Sequence, residues 1–169
     1  MKSALARLYR SAGLLAGFFM ILIGLFVLYS IGGGLFGYVA RSADEFAGYC
    51  MAASSFLALA YTFTSGEHIR VTLILQRLHG PVRRAFEILC LVMASALACY
   101  LAYYSCKLSY VSWQLNDVSQ GLIPTPLWFP QLGMAAGAVI FAIAVVERLY
   151  DVLQGGTIED AAGDSRADR

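Results

Sequence analysis

Residues 11–40 read SAGLLAGFFMILIGLFVLYSIGGGLFGYVA, a run between Arg10 and Arg41 that holds no Asp, Glu, Lys or Arg. A charged side chain at the centre of a bilayer costs a few kcal/mol, so spanning segments exclude it. About 20 mostly apolar residues cross a hydrocarbon core of roughly 30 Å. The same exclusion recurs between Glu45 and Glu67, between Glu87 and Lys107, and between Asp117 and Glu147. Four such windows predict an all-α integral membrane protein with four transmembrane helices.

Composition agrees. The hydrophobic set makes up 59% of the 169 residues and charged residues only 14%, where a soluble domain carries about 25% charge. Four spans use most of the length and leave no room for a separate soluble domain. A net charge of +1 gives no footing for nucleic acid. The apolar stretch after Arg10 is too long for the core of a signal peptide, so it is expected to stay as the first span. Cys50, Cys90, Cys99 and Cys106 form no C-x-x-C pair and are expected as small buried hydrophobes.

The predicted spans are 11–38, 46–63, 83–112 and 127–146. Residues 1–10 form a basic arm with Lys2, Arg7 and Arg10, expected as a short interfacial helix. Gly13 and Gly17, Gly33 and Gly37, and Gly133 and Gly137 have the spacing that lets helices approach closely in lipid. The triplet Gly32-Gly33-Gly34 weakens the far end of the first span. In the second span, Ser54, Ser55, Thr62 and Thr64 favour a protein-facing position, which makes that helix central. Ala94, Ala98 and Ala102 give the third span a flat face. Arg83 and Glu87 are spaced to pair within it. Tyr103, Tyr104, Tyr110 and Trp113 form an aromatic belt at its end.

The stretch 66–80 is polar at its start and amphipathic afterwards, too interrupted to span, and is expected to lie along the membrane surface. Pro81 then suits the first turn of a helix. Residues 149–169 form a polar tail, expected to be disordered. Lys and Arg concentrate in the N-terminal arm and in the connection holding Arg70, Arg77, Arg83 and Arg84. The positive-inside rule then places both termini in the cytoplasm.

Chemistry is sparse. Transport pathways and redox centres show ionisable residues inside the spans, and here they lie at the ends. His68 and His79 share one interfacial segment, where they would not face each other across a haem. The pattern holds no nucleophile–base pair and no metal-ligand cluster, so neither an enzyme nor a cofactor is expected. Glu67, His68 and Arg70 form the densest polar cluster. Read from charge alone, it is either ordinary cytoplasmic loop charge or a hydrogen-bonded knot that meets a partner protein.

The segment Gly66-Glu67-His68-Ile69-Arg70-Val71 resembles the G-x-H-I-x-V signature after the second span of TRAP transporter small permease subunits, the DctQ type. The stretch from Ser119 through Pro124 to Trp128, followed by Leu132-Gly133, resembles that family's second signature. It departs in Thr125-Pro126-Leu127, since the family usually brings Pro and Trp closer together. The resemblance covers roughly residues 10–150. It implies a small membrane subunit of a tripartite, ATP-independent importer. Its partners would be a large permease carrying the ion and substrate sites, a periplasmic substrate-binding protein, and the lipid bilayer. The imported solute would be an organic acid, driven by an ion gradient, with this chain as scaffold. Glu67, His68 and Arg70 would then organise the cytoplasmic turn. Ser119, Pro124 and Trp128 would face the periplasm, and Gly133 would open the fourth helix for packing. Two competing readings are a haem-binding membrane anchor of a respiratory enzyme and a small oligomeric channel or exporter.

Overall fold

The computed structural model describes residues 2–37, 42–64, 81–121 and 123–154. They form four long helices: α1 (Lys2–Phe36), α2 (Ala43–Thr64), α3 (Pro81–Gln114) and α4 (Trp128–Leu153). All four are long and apolar enough to cross a membrane. Among the described residues the extended backbone amounts to one isolated bridge, between Val118 and Pro126.

Helix ends follow local chemistry. The basic arm is no separate element: α1 runs unbroken from Lys2, since neither Gly nor Pro interrupts the chain before Gly13. The Gly32–Gly34 triplet stays helical, and α1 ends before Gly37, whose φ of 75° is the left-handed conformation that terminates helices. α2 begins at Ala43, with Asp44 and Glu45 in its first turn, where carboxylates complement the helix dipole. α3 begins at Pro81, two residues before the start of the predicted span. α4 continues to Leu153, beyond the boundary at 146 and into the stretch assigned to the tail from 149. Val152, only 1% exposed, extends its inward stripe past Glu147 and Arg148. The stretch 66–80 lies outside the described residues, as does the tail from 155.

The main packing partners are α1 with α2, α2 with α4, and α3 with α4. α2 and α4 are therefore the inner pair, with α1 and α3 flanking it. Lipid tails are as apolar as Leu, so close van der Waals fit and interhelical hydrogen bonds must hold such helices together. The contacts show both. A Cβ on Gly137 would stand 2.6 Å from the Phe56 carbonyl carbon and 2.8 Å from the Leu57 nitrogen, so the two inner backbones touch. Gly133 lies the same way against Ala53. On the α3 side, Ala98 and Ala102 pack with Ala138, Ala142 and Val145, and Ala94 joins the cluster. Phe63 of α2 meets Phe141 of α4 edge to face, with centroids 5.6 Å apart. On the α1 side, Ala12 and Ala16 pack on Leu57, and Ser54 donates a 2.9 Å hydrogen bond to the carbonyl of Ala16.

α2 is central, as its polar residues suggested, although they behave unequally. Ser54 is buried at the α1 contact, Thr62 and Thr64 bond to carbonyls of their own helix, and Ser55 is exposed. The cysteines also divide: Cys50 and Cys90 are half-buried, whereas Cys99 and Cys106 are exposed on α3. The inward stripe of α3 is filled by Ala and Ser, which turns both thiols outward.

Candidate functional site

Polar side chains gather at the two ends of the bundle. At one end the α3–α4 connection folds back onto the start of α2. Asn116 takes a left-handed turn, with φ of 50°, and the chain then makes a small hairpin. Ser119 N–H donates to the Thr125 carbonyl at 2.8 Å, and Leu127 N–H to the Asp117 carbonyl at 2.9 Å. Thr125, Pro126 and Leu127, the residues that separate Pro124 from Trp128, thus form the returning arm of this hairpin.

Glu45 holds the hairpin in place. Its Oε1 accepts from the Tyr49 hydroxyl at 2.5 Å and also from the Ser119 hydroxyl. The Ser119 Oγ in turn accepts from Gly121 N–H at 3.0 Å. A Cβ on Gly121 would fall on the Glu45 carboxylate. A second tie runs from Ile123 N–H to the Ser42 Oγ at 3.2 Å, with Ser42 itself held at a φ of 57°. A carboxylate accepting from two hydroxyls, next to a glycine with no room for a side chain, fixes a loop. Both hydroxyls converge on the same oxygen, Oε1.

The opposite end carries a second polar group. The Tyr9 hydroxyl on α1 donates to Glu147 Oε2 on α4 at 2.7 Å. Glu87 on α3 is buried, and Arg148 lies in the field of Asp151, Glu147 and Glu87. A buried charge without a counter-charge is costly, so this grouping ties together three helices. Between the two ends, the packed faces of the described residues consist of Ala, Gly, Ser, aliphatic and aromatic residues. No group of His, Cys, Asp and Glu suited to a metal ion occurs among the described residues.

The predicted site residues meet different fates. Ser119 is buried against Glu45. Pro124 is exposed near the hairpin tip, and Trp128 is half-buried at the first turn of α4, its ring edge-on to Phe129. Gly133 belongs to the α2–α4 contact rather than to the loop. Glu67, His68 and Arg70 lie outside the described residues, and so does the Arg83 side chain of the expected pair with Glu87. The sequence reading missed Glu45 and Tyr9. Glu45 was visible only as the carboxylate bounding an uncharged window, and Tyr9 gave no signal beyond its place in the basic arm.

Residues 22–155 match the family model described as tripartite ATP-independent periplasmic transporters, DctQ component. No curated protein matches the chain. Subunits of this family serve transport rather than catalysis, and they work beside a large permease and a periplasmic binding protein. The match takes in α2, α3, the hairpin, α4 and the second half of α1. The chain therefore belongs to the DctQ family, the small membrane-spanning subunits of TRAP transporters.

Proposed function

We propose that this chain scaffolds the large permease of a TRAP transporter during ion-driven uptake of an organic acid delivered by the periplasmic binding protein. Both termini lie in the cytoplasm on this reading, in a bacterial inner membrane. The hairpin clasped by Glu45 and Ser119 then faces the periplasm, close to where the binding protein arrives. Trp128 and Pro124 contribute to that surface. Glu67, His68 and Arg70 organise the cytoplasmic turn and meet the large permease there.

The observation that carries the proposal is where the charged groups stand. Among the described residues the packed midsection holds no charged side chain, whereas an ion or carboxylate pathway needs polar groups at membrane depth. A bundle welded by small residues and closed by a polar group at each end supports a moving neighbour and offers no route of its own. The test is co-purification of the large permease, measured beside organic-acid uptake, for His68→Ala and Arg70→Ala. The expected result is loss of retained permease and of uptake in parallel. Wild-type levels of both would reduce this cluster to ordinary loop charge.

A further inference from the structure

The two flanking helices turn wide faces outward, and those faces differ chemically. On α1 the exposed large residues from Leu14 to Phe36 are aliphatic or phenyl groups and one Met, apart from Tyr29. On α3 the outward face changes halfway along. Beyond Leu97, beside exposed Leu101 and Leu108, come exposed Tyr100, Tyr103, Tyr104, Lys107 and Tyr110. The Tyr100 and Tyr104 rings lie 4.4 Å apart, and Tyr103 meets Tyr104 edge-on at 5.3 Å.

Depth makes this face a poor match for lipid. Trp113 stands at the end of α3, where an indole belongs at the headgroup level. With a rise of about 1.5 Å per residue, Lys107 lies about 9 Å and Tyr100 about 20 Å below it along the helix axis. A lysine near a helix end ordinarily extends its stem outward to the headgroups. Helical side chains lean toward the N-terminus, which on α3 is away from Trp113. Lys107 follows that lean: its Nζ stands 5.7 Å from the centroid of the Tyr104 ring, one turn deeper. Among the described residues no carboxylate pairs with Lys107, and no group hydrogen-bonds to the hydroxyls of Tyr100, Tyr103 or Tyr104. Hydrocarbon tails supply neither a counter-charge nor a hydrogen-bond acceptor.

We infer that this face of α3 is where the large permease docks, with a carboxylate on one of its spans set against Lys107. The inference rests on the scaffold reading above. Tyrosines suit the task, because each offers a rigid apolar body and a hydroxyl that needs a partner once buried. A second copy of this chain is the wrong occupant, since a two-fold contact centred on this face would bring Lys107 against Lys107. α1, with its hydrocarbon surface, is left to lipid.

The test uses the full chain co-expressed with its large permease. A photoreactive p-benzoyl-phenylalanine replaces Tyr104 on α3 or, separately, Leu28 on α1. The expected result is a covalent adduct with the permease from position 104, several-fold stronger than from position 28. Lys107→Glu should reduce the permease retained by at least about tenfold, since it opposes two like charges in a dry contact. Lys107→Arg should retain it, and changing one in-span permease carboxylate to Lys should restore binding to Lys107→Glu. The amount of each variant in the membrane monitors folding, and the adduct from position 104 does not depend on the charge variants. Adducts from position 28 alone, or lipid adducts alone from position 104, would overturn the docking face while the scaffold reading stood. If the wild-type chain retained no permease at all, the scaffold reading would fall and the docking face with it.

Discussion

Gly13 and Gly17 on α1 share their spacing with Gly133 and Gly137 on α4, and the two pairs meet different surroundings. Gly133 and Gly137 face the backbone and Cβ atoms of α2, with nothing between the two helices. A Cβ on Gly13 would stand 2.8 Å from the Tyr61 ring, and one on Gly17 would meet nothing within 4 Å. The spacing makes a close approach possible, and the helix's position in the bundle decides whether it is used. α4 lies between α2 and α3 and uses its small face fully. α1 lies at the edge, with 6% of its most apolar window buried against 33% for α4. The inner pair is built for packing, and α1 is built for lipid.

The sharpest break in this comparison comes from paired substitutions. Gly137→Leu places a side chain against the α2 backbone, which can yield only if the helices separate. The expected loss is about 3 kcal/mol, the upper part of the range for overpacking, read as a lower unfolding midpoint in mixed detergent. Gly17→Leu points into open space and should change stability by less than about 0.5 kcal/mol. Equal damage from both would abolish the distinction between inner and edge helices.

A smaller effect is expected where the loop meets α2. Gly121→Ala forces the Glu45 carboxylate aside and leaves the Ser119 and Tyr49 hydroxyls to find other partners. A hydrogen bond contributes about 1 kcal/mol net, so the loss should be about that size. It should appear as faster amide exchange at Ser119 and Leu127 with α3 and α4 unchanged. Unaltered exchange there would mean that the clasp does not hold the hairpin. The smallest effect is that of Ser54→Ala, which removes the bond to the Ala16 carbonyl. Interhelical hydrogen bonds in membranes average about 0.6 kcal/mol. A loss near that value supports α1 as a loosely held edge helix, and a loss several times larger would make this bond its main anchor.

The four spans were legible because lipid excludes charge, a rule that acts residue by residue along the chain. The Ala94–Ala98–Ala102 face and the Gly133–Gly137 face were legible for a similar reason, since their spacing is local. The end of α4 was misread because Glu147 and Arg148 end a span without ending a helix. Bilayer polarity sets the first boundary; backbone hydrogen bonding and the burial of Val152 set the second. The basic arm was separated from α1 by the same confusion. The Glu45–Ser119 contact joins residues 74 apart, and Tyr9–Glu147 joins residues 138 apart. Neither pairing follows from spacing, because each depends on how the helices are arranged. Ser119 was reached through family resemblance, which gave the residue and not its partner.

The central claim is that this bundle braces a transporter and conducts nothing itself. Proteoliposomes test it most directly, with uptake of a labelled organic acid followed under imposed sodium and proton gradients in turn. The account predicts no uptake by this chain alone, and uptake once the large permease and the loaded binding protein are supplied. Accumulation of solute by the chain alone would contradict it.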